Sequence, residues 1–239
     1  RLAIGSNNIT DRGAKALANA LKVNRRVRSL DIVFNGISHV GAQALAGALN
    51  PNSTLRYLNL STNNISDAGA EALAVALRAK TARLESLHVG NNNISAHGVK
   101  VLAQALTVNK SLTSLDVGGN NISENGARAL ANALVVNKVL ATLGVCKGTI
   151  PLAGIKALAD ALKTQSTLTS LDVGFNNIST DGAKALAKML KKNQTLSSLA
   201  VRGNRIKGAG VQLLVRSLNA TLTSLDVGSN EIGDEGAKF

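Results

Sequence analysis

The sequence contains few side chains that could perform chemistry. It has one cysteine, Cys146, and three histidines, His39, His88 and His97. A thiol and an imidazole can form a nucleophile–base pair, and both are common zinc ligands. A Gly-x-x-x-x-Gly-Lys phosphate-binding motif does not occur. Four aspartates share the context Ser-Leu-Asp and could act as paired carboxylates: Asp31, Asp116, Asp172 and Asp226.

One phrase recurs along the chain and sets where these residues lie. Residues 168–190 read L-x-x-L-x-V-x-x-N-x-I-x-x-x-G-A-x-A-L-A-x-x-L, and the second leucine returns every 26–29 residues. This period and consensus are typical of leucine-rich repeats. We therefore predict one α/β leucine-rich repeat domain over residues 1–239, with about nine 28-residue repeats of which the first and last are incomplete. The second leucines are Leu2, Leu30, Leu58, Leu87, Leu115, Leu143, Leu171, Leu199 and Leu225.

Each repeat predicts a strand, a turn and a helix. The alternation around Leu171 and Val173 indicates a strand with one buried face. A Ser or Thr before an acidic or small residue, as in Ser66-Asp67 or Ser179-Thr180-Asp181, predicts a hydroxyl-capped helix start. Paired strands lie ~4.8 Å apart and packed helices ~8–10 Å apart. We therefore expect a horseshoe with a parallel sheet on its concave face and helices on its convex face.

An asparagine follows each strand in all but one repeat. An amide both donates and accepts, so stacked asparagines should form a ladder that satisfies buried backbone groups in the turns. In one repeat Gly148 replaces the asparagine and Pro151 occupies the helix start, so we expect the array to be weakest around residues 145–155. The ladder residues are Asn7, Asn35, Asn63, Asn92, Asn120, Asn176, Asn204 and Asn230.

From this arrangement we predict no catalytic site, no cofactor-binding site and no metal site. Cys146 and His88 would lie two strands apart, ~9–10 Å at strand spacing, too far for a nucleophile–base hydrogen bond. His39 and His97 fall in loops, and the aspartates lie two or three repeats apart. We expect a binding protein and not an enzyme, with activity in a flanking domain left open.

The concave face and its adjoining loops supply the candidate partner-binding residues. Small residues, aspartates and a few larger side chains alternate there, and aromatic residues and arginine are frequent interface anchors. The alternative is tolerated surface variation. The candidates are Asp31, Phe34, Tyr57, His88, Asp116, Cys146, Asp172, Phe175, Arg202, Arg205 and Asp226.

The net charge of +13, with a pI near 10.3, allows three interpretations. Cations near helix C-termini complement the helix dipole and aid solubility. They could also bind an acidic protein or anionic membrane, or a nucleic acid, although RNA binding usually adds aromatic stacking. The candidate anion patch comprises Arg25, Arg26, Arg28, Arg56 and Arg83.

The 28-residue repeat and its G-A-x-A-L-A-x-A-L phrase resemble the ribonuclease-inhibitor-like class of leucine-rich repeats. That class includes ribonuclease inhibitor, the sensing region of NOD-like receptors and the GTPase-activating protein of Ran. Similar repeats occur in effectors that bacteria inject into host cells. The resemblance implies a protein-interaction scaffold, with the repeat part of a bacterial effector as the expected setting. A GTPase-activating or NOD-like regulatory module, and an electrostatic binder of RNA or anionic membrane, remain alternatives.

Cysteine usage favours an intracellular, reducing location, which for an effector includes the host cytoplasm. One cysteine cannot form an intrachain disulfide, and the cysteine-rich caps of extracellular repeat proteins are missing from the sequence. It also lacks a recognisable signal peptide and any apolar run near the ~18 residues that span a bilayer.

Overall fold

The computed structural model describes residues 1–238 and contains one parallel sheet of nine strands. The strands pair in chain order from β1 to β9. They are β1 (Leu2–Ala3), β2 (Ser29–Asp31), β3 (Tyr57–Asn59), β4 (Ser86–His88), β5 (Ser114–Asp116), β6 (Thr142–Gly144), β7 (Ser170–Asp172), β8 (Ser198–Ala200) and β9 (Ser224–Asp226).

A helix follows every strand and packs on one side of the sheet. The helices are α1 (Asp11–Val23), α2 (His39–Leu49), α3 (Ser66–Arg78), α4 (Ala96–Leu106), α5 (Ser123–Val136), α6 (Leu152–Leu162), α7 (Ser179–Leu190), α8 (Lys207–Val215) and α9 (Gly233–Gly236). In residues 1–238, none of the helices is long and apolar enough to cross a bilayer.

The strand register aligns the repeat leucines in one column. Leu58, for example, pairs with Leu30 on one side and Leu87 on the other. These three leucines are fully buried, whereas Leu2 and Leu225 in the edge strands are only partly buried. The core thus lies between sheet and helices, and the closer spacing of strands puts the sheet on the inner side. The predicted repeat solenoid is confirmed.

Close packing explains the glycine that recurs in each helix. A Cβ added to Gly98 would lie 2.6 Å from Cγ2 of Ile94 and 3.2 Å from Cβ of Ala70 on the preceding helix. Real Cβ atoms do not approach a neighbour as closely as 2.6 Å, and 3.2 Å is a tight contact. The glycine therefore lets the turn isoleucine and the neighbouring helix approach the backbone, at a cost of ~1 kcal/mol in helix propensity.

The predicted asparagine ladder is present, and every ladder amide after Asn7 bridges two repeats. Asn204 Oδ1 accepts hydrogen bonds from the backbone N–H of Asn176 (2.7 Å) and Ile178 (3.3 Å). Its Nδ2 donates to the carbonyl oxygens of Val173 (3.0 Å) and Val201 (2.9 Å). A single side chain thus satisfies buried backbone groups on both sides of the repeat junction.

Gly148 interrupts the ladder on the side of the preceding repeat. The N–H groups of Gly148 and Ile150 still donate to Asn176 Oδ1, at 2.8 and 3.1 Å. The groups deprived of an amide acceptor are those of Asn120 and Ile122, and the Ile122 N–H donates instead to the Gly148 carbonyl at 3.0 Å. The missing amide contacts thus fall at residues 120–122, whereas the lowest local stability around residues 145–155 stays a prediction.

The predicted hydroxyl caps are correct for two helices and wrong for others. Ser38 and Ser95 cap α2 and α4 by accepting from the N–H two residues on, each at 3.1 Å. Ser66 and Ser179 make no such bond. Their φ angles of 52° and 62° place them inside the first helical turn in left-handed conformation, where the hydroxyl does not occupy the extended N-cap position.

A second amide ladder, which the sequence analysis missed, fixes the turns from helix to strand. Asn193 Nδ2 donates to the Leu162 carbonyl of the preceding helix at 2.7 Å. Its Oδ1 accepts from the N–H of Thr195 (3.0 Å) and Leu196 (2.7 Å). The bridging amides belong to Asn52, Asn109, Asn137, Asn193 and Asn219, whereas the Gln165 amide accepts from the N–H of Thr167 and Leu168 in its own turn.

Candidate functional site

The inner face, formed by the strand side chains that point away from the helices, brings three predicted residues together. Tyr57 and His88 lie on adjacent strands with ring centroids 5.2 Å apart and planes inclined by 44°. Asp116 follows on the next strand, with Oδ2 3.9 Å from His88 Nδ1. Burial, reinforced by the negative charge of Asp31, raises the pKa of Tyr57. The phenol is therefore neutral at physiological pH and can donate or accept a hydrogen bond.

Ser86, which the sequence analysis missed, completes a serine–histidine–aspartate row on this face. Ser86 Oγ lies 2.9 Å from His88 Nε2. The 3.9 Å separation of His88 and Asp116 exceeds hydrogen-bond length, so the carboxylate does not fix the imidazole. The Ser86 N–H donates to the Arg56 carbonyl and cannot stabilise an oxyanion. The row is suited to polar recognition.

Cys146 and Arg202 extend over neighbouring glycines. A Cβ on Gly118 would lie 2.8 Å from Cys146 Sγ, and one on Gly228 would lie 2.6 Å from Arg202 Nη1. Burial, together with the charges of Asp172 and Asp116, raises the pKa of Cys146 to about 11. The thiol is protonated at neutral pH and is a poor nucleophile. The glycines provide room for these two larger side chains.

The predicted aspartates have structural contacts at the strand ends. Asp116, Asp172 and Asp226 each accept through Oδ1 from the N–H two residues on, at 2.8–2.9 Å. Asp31 Oδ1 accepts from Asn59 Nδ2 at 3.0 Å. In each case one carboxylate oxygen helps to end the strand, and the other can face a partner.

Phe34, Phe175 and Arg205 lie on the strand-to-helix loops in left-handed conformation, with φ of 51°, 55° and 53°. Both phenyl rings are exposed, at 63% and 47%, and Lys147 Nζ lies 5.5 Å from the Phe175 centroid. Gly203 occupies the equivalent loop position with φ of 66°. The position is left-handed in other repeats too, for example at Thr62 and Lys147 with φ of 55° and 51°. A Cβ added to Gly203 would collide with the Phe175 ring, so the glycine makes room for that ring.

The opposite edge of the sheet carries the excess charge. We define the basic rim as the last two residues of each of the helices α1 to α8 together with the loop to the next strand. Its one acidic residue is Glu85. The chain has 27 basic and 14 acidic side chains, so the remainder holds 13 of each and the net charge of +13 lies in the rim. The rim cations are Lys22, Arg25, Arg26, Arg28, Arg56, Arg78, Lys80, Arg83, Lys110, Lys138, Lys163, Lys191, Lys192 and Arg216.

The predicted anion patch is part of this rim, but it is not uniformly basic. Arg28 and Arg56 lie side by side, since the Arg56 N–H donates to the Arg28 carbonyl at 2.8 Å. Arg56 Nε, however, pairs with Glu85 Oε1 at 3.2 Å. Arg25 and Arg83 donate to backbone carbonyls of their own turns. The five arginines are thus positions along a longer basic edge, with Glu85 between them.

The second amide ladder lacks a member in the loop between α3 and β4. A groove interrupts the rim there, between this loop and the loop from α4 to β5. It encloses about 600 Å³ and is lined by cations and Val108. The cations are Arg78, Lys80, Arg83 and Lys110, and no carboxylate lines the groove in the part of the chain that the structure describes. We call this site the basic groove. Its charge and open shape suit an anionic group.

Fold and site together define a repeat solenoid with an open, polar inner face. The chain belongs to the leucine-rich repeat family, whose members are generally protein-interaction modules. The family's sequence model, described as "Leucine Rich repeat", matches residues 1–18, 23–46, 52–74, 84–103, 108–131, 164–187, 192–215 and 218–239. The unmatched stretch 132–163 contains the irregular repeat with Gly148. No curated protein matches the chain in sequence.

Solved structures share the fold at low sequence identity. A leucine-rich repeat protein of Legionella pneumophila, LegL7, matches with a TM-score of 0.60 and 19% identity, over 96% of this chain and 72% of that one. Leiomodin-1 actin-binding site 2 matches with 0.52 and 23%, over 63% and 88%. The tropomodulin C-terminal domain of Caenorhabditis elegans matches with 0.52 and 16%, over 64% and 92%. These likenesses show the fold alone.

Proposed function

We propose that the chain is a protein-recognition scaffold whose inner face and strand-to-helix loops bind a protein partner. The observation that carries this proposal is the pair of exposed phenylalanines, Phe34 and Phe175, in left-handed loop positions. Exposed aromatic side chains are unfavourable in water, and aromatic residues are frequent anchors of protein interfaces. Tyr57 and His88 supply polar and aromatic contacts between the two rings, and Arg202 follows in the repeat after Phe175.

The partner is found by photo-crosslinking from the inner face. A benzoylphenylalanine at position 88 should capture the partner, whereas one at position 75, on the outer surface of α3 where Val75 is 64% exposed, should not. The captured protein is then produced and titrated by calorimetry. Capture from position 75 alone would place the interface on the helices and contradict the proposal.

A glycine pair separates binding from folding. Phe34→Gly with Phe175→Gly relieves both left-handed residues, so the variant should unfold at the same or higher urea concentration. Its affinity for the partner should fall at least tenfold, because an aromatic anchor residue at an interface commonly contributes about 2 kcal/mol to binding. Val23→Ala with Val75→Ala is the matched control. Unchanged affinity of the glycine variant would remove these rings from the interface.

We further propose that the scaffold is the repeat part of a bacterial effector that works in the reducing cytoplasm of a host cell. Its support is the fold shared with the Legionella protein over 96% of this chain and the single free thiol, Cys146. The crosslinking screen, run on eukaryotic and bacterial lysates in parallel, should yield a eukaryotic partner. A bacterial partner would contradict this setting. A captured small GTPase with accelerated GTP hydrolysis would favour the regulatory alternative.

A further inference from the structure

The basic rim combines its cations with exposed aliphatic side chains. Val23, Val108, Val135, Val136 and Leu218 all lie on this edge with exposures of 79%, 56%, 51%, 55% and 47%. Aromatic residues do not occur among the rim residues. Ion pairs involve only two of the rim cations in the described chain, Arg56 with Glu85 and Lys163 with Asp160. The rim is therefore an exposed surface of positive charge and aliphatic carbon.

The turns that carry these side chains are held in a fixed row. Asn137 Nδ2 donates to the Leu106 carbonyl at 2.7 Å, and its Oδ1 accepts from the N–H of Leu140 at 2.7 Å. The same bridging pattern repeats at Asn193. Because all helix-to-strand turns of a parallel coil lie on one side, the second amide ladder presents charges and valines along one edge.

We propose that the basic rim docks on an anionic membrane surface, with acidic phospholipid headgroups in the basic groove and the aliphatic side chains at the acyl boundary. Lys and Arg near a bilayer surface are attracted by acidic lipids, and exposed aliphatic side chains gain by leaving water. Val108 borders the groove that Arg83 and Lys110 line. Charge and apolar contact therefore coincide at one place.

Nucleic acid fits the same surface less well. Single-stranded RNA and DNA are held by a basic groove together with aromatic stacking, and the rim has no aromatic side chain. Duplexes are bound through phosphate contacts, to which exposed valines would add nothing. The aliphatic side chains thus distinguish the two partners, and they define the experiment.

The test is co-sedimentation with vesicles of mixed phosphatidylserine and phosphatidylcholine, and with phosphatidylcholine alone. The wild-type chain should bind only the mixed vesicles. A charge variant, Lys80→Gln, Arg83→Gln and Lys110→Gln, should bind roughly a hundredfold more weakly, about fivefold per charge. The matched control removes three cations from the outer helix surface, Lys15→Gln, Lys100→Gln and Lys184→Gln, and should bind within a few-fold of wild type.

An apolar variant, Val23→Ser, Val108→Ser and Val136→Ser, keeps every charge. It should lose roughly threefold in vesicle affinity per side chain. In a Cys146→Ser background, an environment-sensitive dye at Val136→Cys should shift to the blue on mixed vesicles, and a dye at Val75→Cys should not. Urea unfolding of each variant establishes that it is folded.

Three results would overturn the proposal. These are failure of the wild-type chain to bind mixed vesicles, equal binding by the serine variant, and a dye at position 136 that stays in water. Tighter binding of single-stranded or duplex oligonucleotides than of mixed vesicles would assign the rim to nucleic acid. The inner-face variants Phe34→Gly and Phe175→Gly should bind vesicles as wild type does, so this proposal and the protein-recognition proposal can fail separately.

Discussion

Buried asparagine amides bridge the repeats at both edges of the sheet, but the two edges expose different side chains. At the strand-to-helix edge, asparagines such as Asn204 bridge adjacent repeats through both amide atoms. At the helix-to-strand edge, Asn193 and its equivalents do the same. The first edge carries the exposed phenylalanines, whereas the second carries the whole net positive charge. Buried amides therefore fix both sets of turns, and the exposed side chains are free to differ with function.

The largest effect should come from removing one member of either ladder. Asn204→Ala and Asn193→Ala each leave several buried backbone groups without partners, and each unpaired group costs ~1–3 kcal/mol. Both variants should lose at least about 3 kcal/mol of unfolding free energy, measured by urea denaturation. A loss confined to one variant would show that the two ladders are not equivalent.

The gap at Gly148 offers a sharper test of the first ladder. The φ angles of Lys147 and Thr149, 51° and 54°, match those of Phe175 and Asn177 around Asn176, so the backbone suits asparagine. A Cβ at Gly148 would, however, lie 2.6 Å from Cδ1 of Ile122 and 2.9 Å from the Val145 carbonyl. The missing amide is thus partly replaced by a buried methyl group.

Two substitutions separate crowding from hydrogen bonding at this position. Gly148→Ala adds the crowding alone and should destabilise by about 1–3 kcal/mol. Gly148→Asn adds the same Cβ together with the hydrogen bonds of the ladder. Its unfolding free energy should therefore exceed that of the alanine variant by about 1–2 kcal/mol. Equal stability of the two, in urea unfolding, would mean that the turn needs no amide there.

The fold and the first ladder could be predicted from the sequence, and there are physical reasons why the second ladder and parts of the inner face could not. The consensus leucines and asparagines determine the register, so the sheet, the buried column and the first ladder were correctly predicted. The second ladder was missed because its amides lie in charged loops and Gln165 interrupts the series of asparagines. A 28-residue spacing of asparagines was available as a signal, from Asn24 to Asn52 and from Asn109 to Asn137. Ser86 beside His88 was equally visible, whereas the Arg56–Glu85 pair required strand register.

A smaller effect is expected at the start of α2. Burial alone would raise the pKa of Asp11, but hydrogen bonds from the Ser38 hydroxyl and N–H and from the Gly41 N–H outweigh it and lower the pKa below 3.8. The stabilisation is therefore present above the ordinary aspartate value and is lost as pH falls through the lowered pKa. In Asp11→Asn, the loss of unfolding free energy between neutral and acid pH should be smaller than in wild type by about 1 kcal/mol or less. Identical pH profiles would contradict this.

The central claim is that the hydrophobic core and the two amide ladders stabilise the fold, whereas the cations of the basic rim contribute nothing to stability and are available for binding. Its most direct test is the unfolding free energy of Lys80→Gln, Arg83→Gln and Lys110→Gln at low ionic strength, beside the matched outer-surface variant. If these cations serve the helix dipoles of α3 and α4, their removal should cost about 1–3 kcal/mol. We predict that the rim variant is as stable as wild type or more stable, because mutual repulsion along the rim is relieved. A loss of about 2 kcal/mol relative to the matched variant would contradict the account.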